Sequence, residues 1–153
     1  MESSPAHGFT LIEIIVSVAL LLVLSGLFMA NYSGFNNSQA VKQTASTLVR
    51  NLQAVRTKAA TGTKPAGCDT LVGYIVKFPD SSTYTAQALC QTGAVGGINT
   101  YALPTGVTFS PVPSSVTFYA LDRGTSANEV ISITGFGLVP TNVSVSVSGV
   151  VSE

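Results

Sequence analysis

The chain has 153 residues, enough for one domain, and 9% of them are charged, against about 25% in an ordinary soluble domain. Seven basic and seven acidic side chains give a formal net charge of zero, which argues against a strongly basic nucleic-acid binder. Hydrophobic residues make up 46% of the chain and the mean hydropathy is +0.44, so either part of the chain lies in lipid or its surface is unusually neutral.

The first predicted element is an apolar helix over residues 9–30, FTLIEIIVSVALLLVLSGLFMA, which is long enough to cross a bilayer core. Its only charge is Glu13. A lone carboxylate at the centre of a membrane helix costs roughly 2.5–3.5 kcal/mol, so an acid needs a reason even one turn from the start of the run. The polar residues 1–8 precede the run and no A-x-A-like site follows it, which excludes an ordinary secretory signal peptide.

Residues 8–13, GFTLIE, resemble the class III signal of type IV prepilins and pseudopilins. The resemblance implies that a prepilin peptidase cuts between Gly8 and Phe9, removes residues 1–8 as a leader and methylates Phe9. The family's glutamate, fifth in the mature chain, corresponds to Glu13. The leader departs from the family in having no Lys or Arg, which weakens the assignment of orientation from basic flanking residues.

Glu13 is interpreted as an assembly residue. Cleavage would leave a cationic amine on Phe9, and the N-terminus of a helix favours a nearby negative charge. The Glu13 carboxylate of a neighbouring subunit would neutralise that amine in a filament core, where an unpaired carboxylate is costly. The alternative is an uncleaved anchor whose Glu13 side chain extends to the membrane interface.

Residues 31–62 are predicted to form the amphipathic half of the helix, after a bend at residues 33–38, with an end at Gly62 and Pro65. Apolar residues recur there every three or four positions and predict one buried helix face. The stripe consists of Val41, Ala45, Leu48, Leu52, Val55 and Ala59.

Four basic residues fall off this stripe and are candidate contacts for an anionic partner, whether lipid head groups, filament neighbours or nucleic acid. They are Lys42, Arg50, Arg56 and Lys58. Because the charges are dispersed and no aromatic residues lie between them, a solvated helix face is the simpler interpretation and a nucleic-acid partner is the less favoured one.

Residues 68–153 are predicted to form a globular antiparallel β domain, because the apolar pattern changes there to period two. Glycine and proline mark loops at residues 93–99 and 103–115. The fold class is therefore α+β, with one long helix packed on an antiparallel sheet. The predicted strands are residues 71–78, 83–90, 116–121, 129–134 and 143–151.

The two cysteines, Cys68 and Cys90, fit neither a zinc site nor a redox motif. If Phe78 pairs near Tyr84 in the first hairpin, Cys90 lies opposite Val72 and Cys68 is a few residues beyond. This register favours a disulfide, which would contribute about 3 kcal/mol in an oxidising compartment. Two free thiols are the alternative.

No catalytic or metal-binding constellation is present in the sequence. The only imidazole, His7, would leave with the leader, which excludes nucleophilic systems based on histidine in the mature chain. The acidic residues have no metal-like spacing, and residues 122–124, Asp-Arg-Gly, are interpreted as a turn. We therefore expect no enzyme activity, cofactor or metal.

A second resemblance is less specific. The helix-then-sheet order and residues 48–59 and 131–139 are similar to FimT/GspH-type minor pilins and pseudopilins. The two resemblances imply a structural subunit of a type IV pilus or a type II secretion-like filament. Its implied partners are other pilin subunits, prepilin peptidase, membrane lipid and an inner-membrane assembly platform.

The resemblance also implies a location: a single pass through the cytoplasmic membrane before assembly, with the β domain outside the cytoplasm. Two alternatives stay open at this point. One is a DNA-binding minor pilin for DNA uptake, and the other is a plain membrane-anchored β domain.

Overall fold

The computed structural model describes residues 9–153, and for residues 27–33 it describes the backbone alone. Residues 1–8, including the predicted processing residue Gly8, lie outside the described residues. The chain divides between Asn36 and Asn37 into an N-terminal unit and a C-terminal unit, which are described in turn.

A single helix, α1, forms most of the described part of the N-terminal unit and the start of the next, and its bounds are Leu11–Ala60. Residues 33–38, where the sequence predicts a bend, are all helical. Serine, asparagine and glycine disfavour a helix by at most about 1 kcal/mol each, so a short run between strong helix-forming segments does not end it. The 31–62 stretch is helical as predicted up to Ala60.

The helix ends where the sequence predicts, through a Schellman motif at Gly62. The Thr63 amide donates to the Lys58 carbonyl at 3.1 Å, and the Gly62 amide donates to the Ala59 carbonyl at 3.0 Å. Gly62 has φ of +63°, a conformation that glycine adopts without a steric penalty.

The predicted apolar stripe of the helix is confirmed as its buried face. All six members are buried, with 0–6% of their surface exposed: Val41, Ala45, Leu48, Leu52, Val55 and Ala59. They share one core with apolar residues from both β-sheets, including Val76 and Phe118 of the first and Ile131 and Val143 of the second. The helix face is therefore the element around which the C-terminal unit packs.

The strands of this unit form two four-stranded antiparallel sheets, where the sequence predicted one. The strand order is β3-β2-β1-β5 in the first sheet and β4-β6-β7-β8 in the second. The α+β class is confirmed. The bounds are β1 Leu71–Lys77, β2 Thr83–Cys90, β3 Gly93–Ala102, β4 Val107–Phe109, β5 Val116–Tyr119, β6 Glu129–Gly135, β7 Thr141–Val145 and β8 Val151–Ser152.

Two predicted loops contain strands. The prediction of a loop at residues 93–99 is wrong, because this segment belongs to the edge strand β3. Its glycines permit an irregularity in the ladder between the Ala86–Asn99 and Ala88–Val95 pairs, and hydrogen bonds to β2 hold the strand although it has no buried residue. The loop expected at residues 103–115 contains the short strand β4.

Two predicted strands are shorter than expected. The prediction of one continuous strand at residues 143–151 is wrong, because the chain turns back after Val145. The Ser146 amide donates to the Val150 carbonyl at 2.9 Å, and Gly149, with φ of +81°, permits the turn. Alternation of valine and serine continues through this turn, so periodicity alone did not reveal it. The strand expected at residues 116–121 ends at Tyr119 and continues as a 3₁₀ turn, Ala120–Asp122.

Glycine at position 73 is required by the close approach of β1 and β5. A Cβ atom placed there would collide with the Phe118 carbonyl oxygen. The approach aligns Gly73 with Tyr119 across the two strands. A side chain at this position would therefore separate the strands.

The first hairpin confirms the predicted disulfide with a small change of register. Cys90 lies opposite Leu71, one residue from the expected Val72, because the ladder shifts between Leu71 and Gly73. Cys68 and Cys90 are bonded, with Cα atoms 5.8 Å apart and a sequence separation of 22. The bridge forms a second, smaller core with Leu71, Ala88 and Ala120.

Replacing both cysteines with alanine should lower the free energy of unfolding by about 3 kcal/mol, because the open chain gains loop entropy. The measurement is urea unfolding of the full chain in detergent micelles, with Cys68→Ala/Cys90→Ala compared with the parent under reducing and non-reducing conditions. A reducing agent should shift the parent to the midpoint of the variant and leave the variant unchanged. A parent that does not respond to reduction would contradict the bridge.

The turn between β1 and β2 is built around Asp80. Its carboxylate accepts hydrogen bonds from the amide and hydroxyl of Ser82 and from the amide and hydroxyl of Thr83, at 2.7–2.8 Å. These donors, the Thr83 hydroxyl first, lower the pKa of Asp80 from 3.8 to about 2. The charged form therefore holds the turn together.

Because the folded pKa of Asp80 is depressed, its contribution to stability is complete above the unfolded value of 3.8 and is lost as the pH falls toward about 2. The unfolding free energy of the parent should therefore fall more steeply in this acid range than that of Asp80→Asn, whose side chain does not titrate. Ser81→Ala, in the same turn, is the control and should follow the parent. Parallel curves for the parent and Asp80→Asn would contradict this account.

Candidate functional site

Between Leu11 and Leu24 the helix of the N-terminal unit carries large apolar side chains on every face. Large hydrophobic side chains between Phe9 and Leu24 are 50–78% exposed. Successive residues point about 100° apart around a helix, so the consecutive residues 20–24, LLLVL, cover its whole circumference. An uninterrupted apolar surface of this kind is stable only when lipid or protein covers it. The segment is therefore built to be covered by a partner.

The first turn of this helix positions Glu13. The Glu13 amide donates to the Thr10 carbonyl at 3.1 Å and lies 3.4 Å from the Thr10 hydroxyl, so Thr10 caps the helix. The spacing of Thr10 and Glu13 is that of a capping box. Glu13 is exposed. The first turn is where a helix dipole favours a negative charge.

Phe9 and Glu13, two of the three residues predicted to act in processing and assembly, therefore lie at the same end of the helix. Phe9 is exposed directly before the capping residue. A carboxylate among exposed isoleucines and leucines is poorly solvated once these are covered, so a cationic partner or protonation would stabilise it.

The four basic residues of the second half of α1 are not brought together. Helical positions separate Lys42, Arg50 and Lys58 by about 80° each, which spreads them over half of the circumference. All three are exposed. Arg56 is half-buried and its guanidinium donates to the Asp122 carboxylate at 3.3 Å. These residues therefore do not form one basic surface of the kind that follows a nucleic-acid backbone.

A groove of about 440 Å³ lies within the C-terminal unit between α1 and the strands. Tyr84 lines it, accepts a hydrogen bond from the Asn51 amide at 2.7 Å and stacks on Tyr101 at 4.9 Å. Burial raises the pKa of Tyr84, so its hydroxyl stays neutral. The Asn51–Tyr84 contact joins residues far apart in the chain, so no local pattern predicts it.

Residues 9–153 contain no group of three or more His, Cys, Asp and Glu residues arranged to hold a metal ion. In the part of the chain that the structure describes, no helix combines the length and the apolar character needed to span a membrane.

Residues 3–29 match the family model of the prokaryotic N-terminal methylation motif. The N-terminus carries the motif that marks type IV pilins and pseudopilins. The resemblance drawn from residues 8–13 is confirmed by this match. The motif implies processing by prepilin peptidase, assembly with other pilin subunits and membrane anchoring before assembly. The matched region ends at residue 29. Neither a curated protein nor a solved structure matches the chain.

Proposed function

We propose that this chain is a structural subunit, a minor pilin or pseudopilin, of a type IV pilus or a type II secretion-like filament. The observation that carries the proposal is the methylation motif at residues 3–29, which overlaps the helix that is apolar on every face. The motif by itself supports only processing by prepilin peptidase. The exposed apolar helix supports assembly, because the mature chain would keep this surface and must cover it.

Cleavage after Gly8 and methylation of Phe9 are the proposed maturation steps. Hydrolysis of the Gly8–Phe9 peptide bond releases the leader and leaves a secondary amine on Phe9 after methylation, which stays cationic at neutral pH. The amine and Glu13 then lie within one helical turn of each other at the N-terminal end of α1. Each subunit carries one cation and one anion at this end.

Glu13 is proposed to pair with the Phe9 amine of a neighbouring subunit. Covering the apolar helix removes water from both charges, and two buried charges without partners are strongly destabilising. Adjacent helices satisfy both charges only when they lie in one axial register. Glu13 would therefore fix the stagger between neighbouring subunits while the apolar side chains supply most of the association free energy.

The proposed location before assembly is the cytoplasmic membrane, with residues 9–30 as the anchor and residues 68–153 outside the cytoplasm. The Cys68–Cys90 disulfide supports an oxidising compartment for the β domain. The partners are membrane lipid, prepilin peptidase, an inner-membrane assembly platform and other pilin subunits. The long helix followed by antiparallel sheets favours a FimT/GspH-type minor pilin or pseudopilin.

Intact-mass spectrometry of the membrane-purified chain tests the maturation. In a host with active prepilin peptidase, we expect a mass lower by residues 1–8 and higher by one methyl group. Gly8→Val should leave the full precursor because the bulky residue blocks the cleavage position. Ala6→Val, the same change in steric class within the leader, is the control and should be processed. A parent chain that still begins at Met1 in that host would contradict the proposal.

A further inference from the structure

The first sheet ends at a strand whose outer edge is open. β3 is the longest strand of the described residues, and β2 is its only neighbour in the sheet. Its sequence, GAVGGINTYA, contains neither a charged residue nor a proline, and none of its residues is buried. Natural sheets usually protect an edge with lysine, proline, a very short strand or a covering segment. Among the described residues β3 has none of these protections, so it is available to pair with a further strand.

The other sheet edges follow the usual protective pattern. At the opposite edge of the first sheet, β5 is covered by the segment that follows it. The Tyr119 amide donates to the Gly124 carbonyl at 2.9 Å, and the Ser126 amide donates to the Thr117 carbonyl at 2.9 Å. In the second sheet the edge strands are short, with three residues in β4 and two in β8. The long open edge of β3 is therefore the exception within the described residues.

The pairing of β2 with β3 determines which backbone groups face the open edge. The Leu103 amide donates to the Ser82 carbonyl at 2.8 Å. Hydrogen-bonded and non-hydrogen-bonded pairs alternate along an antiparallel ladder, so Tyr101 also directs its amide and carbonyl toward β2. Thr100 and Ala102 therefore direct their amides and carbonyls outward. The edge thus offers donors and acceptors at alternate residues, as an extended segment requires for pairing.

The side chains beside this edge limit what can pair with it. Ile98 is 59% exposed and shares one face of β3 with Thr100, because side chains alternate along a strand. On the other face, Lys58 of α1 lines a recess of about 170 Å³ together with Gly97 and Asn99. Lys58 is exposed and forms no ion pair with the described residues. An added strand would therefore meet an apolar side chain on one face and a positive charge on the other.

A second copy of the chain fits this edge poorly. Two β3 edges can meet only when a two-fold axis relates the copies, because the inner side of each β3 is already paired with β2. That axis is perpendicular to the joined sheet, so both Lys58 side chains would lie on the same face of it. Like charges on one face disfavour the pairing, whereas a carboxylate on a different segment would favour it.

We propose that the outer edge of β3 binds an extended segment of another protein, uncharged apart from one carboxylate that pairs with Lys58. The segment joins the first sheet as an antiparallel strand, and its backbone bonds to the outward groups of Thr100 and Ala102. β-Branched side chains on its outer face pack beside Ile98. This binding role goes beyond the proposed filament function and does not depend on it.

Hydrogen exchange of single amides tests the added strand in the full chain in detergent micelles. The probe is a short blocked peptide with valine on one face and threonine with a central glutamate on the other. NMR should show slower exchange of the Thr100 and Ala102 amides as the peptide concentration rises, because an added strand bonds these groups. The Tyr101 amide, already bonded to β2, should change little. Binding without protection of Thr100 and Ala102, or no binding at millimolar peptide, would overturn the proposal.

A change of charge in the peptide tests the role of Lys58 without altering the protein. Lysine in place of the peptide's glutamate should weaken binding about fivefold, because an attraction at the surface becomes a repulsion. Lys58→Gln should remove the difference between the two peptides. Equal affinities of the parent chain for both peptides would overturn the proposal.

A pair of variants at one position tests the backbone contact. Thr100→Pro removes the outward amide and should prevent binding, while Thr100→Val keeps this amide and should bind as the parent does. A Thr100→Pro chain that binds the peptide like the parent would overturn the proposal. Protection of Thr100 that rises with the concentration of the chain alone would also overturn it, in favour of a second copy. Each of these results leaves cleavage after Gly8 unaffected, so the proposed function stands or falls separately.

Discussion

The molecule depends on one constraint: a helix that is apolar around its whole circumference and carries a single acid in its first turn. Large side chains between Phe9 and Leu24 stand exposed, and Glu13 lies among them. Such a surface has no stable state in water alone, and its carboxylate has no stable state in a dry environment alone. Lipid or neighbouring helices must cover the side chains, and the proposed cation would then neutralise the carboxylate.

In the C-terminal unit, the apolar residues of the same helix are confined to one stripe. Both sheets cover this stripe, while the remaining faces of the helix stay polar. The disulfide and the Asp80 turn fix the first hairpin, so the domain does not depend on the N-terminal surface for its own core. One helix thus serves two environments through a change in where its apolar residues lie.

Sequence reasoning succeeded where a pattern was long or chemically specific. The six-residue stripe of α1, the glycine at the helix end and the hairpin that brings the cysteines together followed from periodicity and turn chemistry. It failed where pairing with a neighbouring strand determines the secondary structure. Residues 93–99 contain four glycines or alanines and no buried side chain, yet β2 holds them as a strand. The valine-serine alternation after Thr141 hides a turn, because only the backbone reveals it.

The same distinction between local patterns and properties of the folded chain holds for the candidate site. The methylation motif and Glu13 could be recognised from consecutive residues, and the family comparison confirms the motif. The recess that Lys58 shares with the open edge of β3 could not be recognised in this way, because strand pairing and exposure are properties of the folded chain. The pairing of Arg56 with Asp122, 66 residues later, was equally invisible in the sequence.

Glu13 is proposed to meet the Phe9 amine of a neighbouring subunit. A helical reconstruction of the assembled filament by electron cryomicroscopy, at a resolution that shows side chains, measures this directly. Each Glu13 carboxylate should lie within hydrogen-bond distance of a Phe9 nitrogen from another copy. A map in which Glu13 pairs only within its own chain, or points away from every Phe9 amine, would contradict it.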